Sequence, residues 1–341
     1  MIVNFPCKIL VEKSVKGKVD TMLANMRLGD SCAIVCDSDV RKIIGDSVRD
    51  EISSSFNVDF VKPQSLEKKY LEALAKKVGD YDFLIGMGGG RVIDTTKYAA
   101  FLAGINWVSF PTILSHDGLM SSRAVIDEEG AKISLTAKEP EAVIADLNTI
   151  KRAPYRYIAA GAGDLLSNIS AVEDWRIADE AGKEKYNSVI ARLSLLGAEA
   201  VIEHSRHIRN KDVHGMEILF WSLLSSAFSM NIYGSSRPAS GSEHNFSHAL
   251  EKLGTKALHG EQVALGALIS MFLQKKDWLK VKAVMEQLGL PTSAKEAGIE
   301  RDTAIEALLL APKIRERYTI LDKYDITRKQ AENMLQKVGI I

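Results

Sequence analysis

The spacing of apolar positions changes once along the chain, close to Pro154. Before that point, short apolar runs at 32–37, 58–61, 83–86, 107–110 and 142–147 alternate with amphipathic stretches that begin near Ser38, Ser65 and Arg91. The first run ends in Asp37, and Ser38 stands where it can cap the helix that follows. Strands alternating with helices at this pitch predict a parallel sheet covered on both faces, and ligands of such sheets bind at the carboxyl ends of the strands. One segment, 121–137, breaks the rhythm. It carries two extended runs, Ala124-Val-Ile and Lys132-Ile-Ser-Leu, about the turn signal Asp127-Glu-Glu-Gly130, and predicts a β-hairpin.

From Tyr155 the apolar spacing is three and four residues throughout, in segments near 155–180, 187–208, 212–233, 243–253, 259–274, 278–288, 302–317 and 326–339. Gly289-Leu-Pro291 and Gly298 read as helix stops. The expected architecture is an α/β, Rossmann-like N-terminal domain over 1–153, with a parallel sheet plus the β-hairpin. An all-α C-terminal domain over 154–341 follows it.

Composition narrows the classes of function. The 341 residues are 46% hydrophobic, enough to bury the core of two domains. Forty-four basic residues balance forty-four acidic ones, so no global field favours nucleic acid or an anionic membrane, and any phosphate selectivity must be local. Cys7, Cys32 and Cys36 lack CxxC spacing and lie in or near apolar runs, so buried reduced thiols are expected. No leader pattern or membrane-length apolar run is present, and a cytoplasmic setting is expected.

Two stretches carry chemistry. Ile85-Gly-Met-Gly88-Gly89-Gly90-Arg91-Val-Ile-Asp94 runs from an apolar strand through consecutive glycines into a helix, where free N–H groups and the helix dipole suit a pyrophosphate. The spacing is neither GxGxxG nor a P-loop, and a plain tight turn has the same signature. Phe110-Pro-Thr112-Ile-Leu-Ser115-His116-Asp117-Gly118 follows the next strand and adds polar groups, and Asp37 ends the first strand near where a ribose would lie.

The second stretch gathers three of the seven histidines, His244, His248 and His259, within sixteen residues. Asp164 sits in an otherwise small and apolar helical run, and two of these imidazoles with Asp164 can close on one divalent ion. Such a set with an open position suits zinc as a Lewis acid, with iron or manganese also compatible. His204, His207 and His214 lie on charged helical stretches and read as surface or structural residues.

Taken jointly, five segments resemble the dehydroquinate synthase, glycerol dehydrogenase and iron-containing alcohol dehydrogenase superfamily. They are Gly88–Asp94, Phe110–Gly118, Gly161-Ala-Gly-Asp-Leu-Leu-Ser-Asn168, Ser240-Gly-Ser-Glu-His-Asn-Phe-Ser-His248 and Leu258-His-Gly-Glu-Gln-Val-Ala264. Within the superfamily they are most similar to the archaeal sn-glycerol-1-phosphate dehydrogenases, over nearly the whole chain. The resemblance implies a dehydroquinate synthase-like fold and a homo-oligomer. It implies one Zn²⁺ per subunit held by Asp164, His244 and His259, with His248 and Asp117 as catalytic residues that, with Asp164, meet the substrate. It further implies NAD(P)H bound by Gly88, Gly89, Gly90 and Asp94, with Arg91 and Asp37 beside them and Thr112, Ser115 and Ser121 completing the site.

Two departures bear on the choice within the superfamily. Dehydroquinate synthases typically carry Glu where this chain has Asp164. Iron-type alcohol dehydrogenases place a ligand His where this chain has Asn168. The implied reaction is reduction of dihydroxyacetone phosphate to sn-glycerol 1-phosphate for archaeal lipid backbones, with no nucleic acid or membrane span involved. A dehydrogenase for unphosphorylated glycerol and a dehydroquinate synthase-type lyase are the rival readings. Arg237, just before the histidine helix, is the candidate partner for the substrate phosphate, and Arg41 or Lys42 can accommodate a 2′-phosphate on the cofactor.

Overall fold

The computed structural model describes residues 8–128 and 131–341. Cys7 and the Glu129-Gly130 tip of the hairpin lie outside the described residues. The chain divides into two compact units: one runs to Leu114 and resumes over Gly118–Ala153, and the other comprises Ser115–Asp117 with Pro154–Ile341.

The first unit is built on a six-stranded, all-parallel sheet. Its strands are β1 (Lys8–Glu12), β2 (Ser31–Val35), β3 (Asn57–Val61), β4 (Phe83–Gly88), β5 (Asn106–Pro111) and β8 (Ala142–Asp146), in the order β1-β8-β5-β4-β2-β3. Residues of the central strands alternate between two apolar clusters. Cys32, Ile34, Ile85, Met87, Val108 and Phe110 face one side, while Ala33, Val35, Leu84 and Trp107 face the other. Burial on both sides explains why these strands read as continuous apolar runs rather than alternating ones.

Helices α1 (Val19–Ala24), α2 (Ser38–Val40), α3 (Asp46–Ile52), α4 (Lys68–Val78) and α5 (Gly90–Ala103) connect the strands. The hairpin is β6 (Arg123–Glu128) with β7 (Ala131–Thr136), paired antiparallel from Arg123↔Thr136 to Glu128↔Ala131. Its Ala124 and Ile126 pack on Leu71 of α4 and Tyr98 of α5. Cys32 and Cys36 are buried free thiols. Burial and the charge of Asp59 push the Cys32 thiol up to about 12, and burial foremost pushes Cys36 to about 11.

Two expectations need correction here. Strand β1 was not expected, because Lys8-Ile-Leu-Val-Glu12 has only three apolar residues between charged ends. Its pairing with β8, from Lys8↔Ala142 to Glu12↔Asp146, creates the strand. Ser38 does not cap the next helix. Asp37 occupies the cap position without a side-chain cap bond, because its carboxylate is committed to Arg91.

A short helix α6 (Leu147–Ile150), capped by the Asp146 carboxylate on the Thr149 N–H at 2.7 Å, ends the first unit. The second unit is helical: α7 (Tyr155–Glu180), α8 (Ser188–Arg209), α9 (Val213–Tyr233), α10 (Ser242–Lys252), α11 (His259–Leu273), α12 (Trp278–Leu288), α13 (Arg301–Leu310) and α14 (Arg328–Val338). The helix expected over 302–317 stops at Leu310, and a 3₁₀ turn, Ala311–Lys313, follows. Pro312 explains the stop, since it has no N–H and disfavours helical geometry in the residue before it. Residues 314–318 then leave the helix axis.

Helices α7 and α11 approach closely through two glycines. A Cβ on Gly163 would lie 2.5 Å from the Gly260 carbonyl oxygen, and a Cβ on Gly260 would overlap the Ala160 carbonyl. Asp164 is next to the first glycine and His259 next to the second. The crossing thus brings two polar side chains together in an otherwise apolar layer.

Candidate metal and cofactor site

Asp164, His244 and His259 converge from α7, α10 and α11. Nε2 of His259 lies 3.3 Å from Nε2 of His244 and 3.7 Å from Oδ1 of Asp164, and His244 Nε2 is 3.9 Å from the same oxygen. A tetrahedron with metal–nitrogen bonds of about 2.0–2.1 Å has an edge of about 3.3–3.4 Å, so the two imidazoles already stand at ligand spacing. Among the described residues, this is the one group of three His, Cys, Asp or Glu side chains whose ligand atoms lie within 4.8 Å of one another.

The other ring nitrogens are engaged elsewhere, which aims both Nε2 atoms at the common point. His244 Nδ1 is 2.9 Å from Glu243 Oε1, and His259 Nδ1 is 3.3 Å from Ser247 Oγ, whose hydroxyl donates to Gln262 Oε1 at 2.9 Å. Burial holds both imidazoles well below the ordinary histidine range, so they are neutral and able to bind a metal. Burial, and after it the charge of Asp117, pushes Asp164 well above the ordinary carboxylate range. A buried acid of this kind beside two neutral imidazoles is a polar cluster that a divalent cation would neutralise. The donor set therefore fits a metal ion.

The groups around the trio were only partly legible. Glu243, the residue preceding His244, is wholly buried and accepts from the Gly241 N–H at 2.5 Å and from Ser170 Oγ at 2.9 Å. Asp174 lies behind it, accepting from Ser242 N–H, Ser242 Oγ, Ile320 N–H and Gln274, and burial raises it to about 6. Carboxylates that orient metal-binding imidazoles usually affect affinity by about 10–100-fold. Glu243→Gln is therefore expected to weaken binding of a divalent metal ion by about tenfold or more, as read by a competitive chelator titration. Unchanged affinity would show that His244 needs no such support.

Asp117 reaches the trio through its backbone, whose N–H donates to Asp164 Oδ2 at 3.1 Å. Its own carboxylate accepts from Ser226 Oγ at 2.7 Å, and Ser226 Oγ accepts from Asn168 Nδ2 at 3.0 Å. Asn168 thus supports Asp117 through Ser226. His248 lies beside the trio, with ring centroids 6.3 Å from His244 and 6.4 Å from His259, and its Nδ1 is 3.2 Å from Glu251 Oε2. His116, in the polar loop but not singled out by the sequence, bears electrostatically on His259. His204, His207 and His214 lie apart from the trio as a group of their own, with ring centroids 5.0–6.3 Å apart and His207 on Asp212 at 2.8 Å.

Arg237 does not serve the substrate. It is fully enclosed, its Nε is 3.2 Å from Glu184 Oε2, and it donates to the carbonyls of Asp174 and Tyr318 at 2.7 Å each. Burial, which a sequence position does not reveal, turns this guanidinium into an internal brace.

In the first unit, Gly88 ends β4, Gly89 caps α5 without a side-chain cap bond, and Gly90 begins that helix. A Cβ on Gly88 would lie 2.7 Å from Val92, and one on Gly89 would lie 3.3 Å from Ile113. Gly88 has no room for a side chain beside Val92, whereas at Gly89 the end of Ile113 would have to give by a few tenths of an ångström. Arg91 donates to both Asp37 oxygens, at 2.9 and 3.1 Å, tying the ends of β2 and β4 together. The Thr112 N–H donates to the Gly88 carbonyl at 3.0 Å. Asp94 and Ser121 are enclosed. Asp94 is 3.3 Å from Lys97 Nζ, which also donates to the Gly118 and Arg123 carbonyls, and Ser121 Oγ donates to Arg123 O at 3.4 Å. Ser115 falls in the second unit with Asp117. Arg41, considered for a 2′-phosphate, is on Asp46 at 3.0 Å with its guanidinium 4.1 Å from the Phe60 ring centre.

Comparison with known proteins agrees with this geometry. The profile of the family described as iron-containing alcohol dehydrogenase matches residues 10–154. Glycerol-1-phosphate dehydrogenase (NAD(P)+) of Pyrococcus abyssi is 42% identical over 100% of this chain and 99% of its own. The protein of the same name from Thermococcus sibiricus is 40% identical over 100% of this chain and 98% of its own. Among solved structures, glycerol dehydrogenase of Schizosaccharomyces pombe superposes with a TM-score of 0.82, covering 99% of this chain and 90% of that one. At 19% identity that likeness speaks for the fold alone. With relatives at this identity over its full length, the chain belongs to the glycerol-1-phosphate dehydrogenase family.

Proposed function

We propose that the protein reduces dihydroxyacetone phosphate to sn-glycerol 1-phosphate with NADH or NADPH, and that this product supplies the glycerol backbone of archaeal membrane lipids. The observation that carries the reading is the convergence of Asp164, His244 and His259 beside Asp117 and His248, in a chain whose full-length relatives bear the name of that activity.

A divalent cation, zinc by the character of the ligand set, would be held by these three side chains and supplies Lewis acidity toward a ketone oxygen, as NAD(P)H supplies the hydride. The residues of the chain do the rest. Asp117, its carboxylate fixed by Ser226, accepts a substrate hydroxyl and sets which face of the ketone is presented. His248, with Nδ1 on Glu251, delivers the proton that completes the alcohol once the hydride has arrived. The N–H groups that follow Gly88 and Gly89 take the cofactor pyrophosphate. Asp37, Arg91, Asp94, Thr112, Ser115 and Ser121 complete the cofactor's surroundings. With Asp37 neutralised by Arg91, a 2′-phosphate meets less repulsion, and the enzyme is proposed to use both cofactors.

No helix among the described residues is long and apolar enough to cross a membrane. A cytoplasmic homo-oligomer belongs to the same proposal.

The test is a spectrophotometric assay with purified, zinc-loaded protein. Dihydroxyacetone phosphate should oxidise NADH or NADPH stoichiometrically and yield only the sn-1 product by enantioselective analysis. Faster turnover of unphosphorylated dihydroxyacetone would instead favour a glycerol dehydrogenase, and a product formed without net cofactor oxidation would favour a lyase.

A further inference from the structure

We propose that Gln262 and Ser247 are positioning residues that dictate which nitrogen of His259 is offered to the metal. The inference rests on the trio holding a divalent ion and not on the identity of the substrate. Ser247 lies three residues after His244 on α10, and Gln262 three residues after His259 on α11. That spacing keeps each side chain on the helix face of its histidine. The two meet between α10 and α11, and both are enclosed.

Their hydrogen bonds run in one direction only. The starting point is the Ala257 carbonyl, in the link between the two helices, which accepts a hydrogen bond and never donates one. The Gln262 amide must therefore turn its NH₂ group to that carbonyl, at 2.8 Å, with Thr255 Oγ1 a second partner at 3.3 Å. Its Oε1 is left facing Ser247. This oxygen too only accepts, so the one hydroxyl proton of Ser247 goes to it, at 2.9 Å. The other partner of Ser247 Oγ is His259 Nδ1 at 3.3 Å, which is then bound to donate. With the proton held on Nδ1, the lone pair of the neutral ring is on Nε2, the nitrogen nearest Asp164 Oδ1 and His244 Nε2. Enclosure keeps bulk solvent from replacing either member of the relay. His244 reaches the same end differently, with its Nδ1 on the Glu243 carboxylate. The His259 relay is made of neutral groups, so it fixes direction without adding a negative charge beside Asp164.

The plain alternative is that the two side chains only fasten the link between α10 and α11, with the imidazole free to adopt either tautomer. Nitrogen NMR of histidine-labelled, metal-free protein separates the two roles, because protonated and unprotonated ring nitrogens resonate far apart. The His259 signal, identified by its loss in His259→Gln, should show the Nδ1–H form in the wild type. In Gln262→Met the Ser247 proton loses its acceptor and turns to Nδ1. The Nε2–H form should then appear, and affinity for Zn²⁺ in a competitive chelator titration should fall about tenfold or more. Ser247→Ala should weaken Zn²⁺ by a similar factor and carries the test if Gln262→Met does not fold, while Ser247→Thr, which keeps the hydroxyl, should bind like the wild type. The double variant Ser247→Ala/Gln262→Met should be no weaker than the worse single one, since both act through one series of bonds. An Nε2–H ring in the wild type, or single variants that bind Zn²⁺ as tightly as the wild type, overturns the relay and leaves the metal site standing. Failure of the wild type itself to bind Zn²⁺ overturns the metal site, and the relay falls with it.

Discussion

Replacing His244 by alanine should lower kcat/KM for dihydroxyacetone phosphate by about a thousandfold or more, or about 4 kcal/mol of transition-state stabilisation. His204→Ala should stay within about twofold, as surface substitutions away from a site do. His244 offers one of the three converging donor atoms and has a side chain only 12% exposed, while His204, 31% exposed, belongs to a separate histidine group on α8 and α9. Removing the imidazole leaves Asp164 and His259 too few donors for a tight site, and the cation that would offset the buried Asp164 carboxylate is lost with it. Bound zinc measured by elemental analysis after dialysis should fall with activity, and chelation of the wild type should reproduce the loss, with zinc restoring it. Equal effects of the two substitutions, or full turnover in demonstrably metal-free protein, would sink the assignment.

Gly260→Ala should both destabilise the protein and loosen the metal site. A glycine inside a helix ordinarily costs about 0.5–1 kcal/mol relative to alanine, so the exchange would stabilise an open position. Here the added Cβ overlaps the carbonyl of Ala160, which is backbone and cannot rotate away. Overpacking costs about 1–3 kcal/mol or more and outweighs the propensity gain. The strain is relieved only by separating α7 from α11, which moves His259 away from Asp164. The melting temperature should fall by several degrees, at about 2–4 °C per kcal/mol for a domain of this size, and zinc affinity should fall by at least tenfold. A variant that melts like the wild type and binds zinc as tightly would refute the close-approach argument.

Much of the fold was legible because its elements are long or buried on both faces. The apolar runs at 32–37, 83–86 and 107–110 became β2, β4 and β5, and the histidine stretch became the start of α10, a link and α11. What escaped depends on partners distant in sequence. Strand β1 exists through β8, and the capping capacity of Asp37 is spent on Arg91, which is 54 residues away. The helix expected through 317 failed for a local reason, Pro312, whose effect the apolar spacing masked. At the site, residue types and their spacing pointed to the Asp164, His244 and His259 group, but nothing local marks Glu243 or Ser226 as its neighbours. Arg237 shows the converse, since proximity in sequence to the histidines suggested a role that enclosure denies it.

Asn168 has a consequence for how such a site can change over generations. Asparagine and histidine codons differ by a single nucleotide, so a fourth imidazole four residues after Asp164 is one mutation away. In this chain, however, the Asn168 amide holds Ser226, and Ser226 holds Asp117. The same mutation would remove the amide that supports Asp117 through Ser226. A homologue with histidine at the position of Asn168 should therefore differ at the position of Ser226 as well.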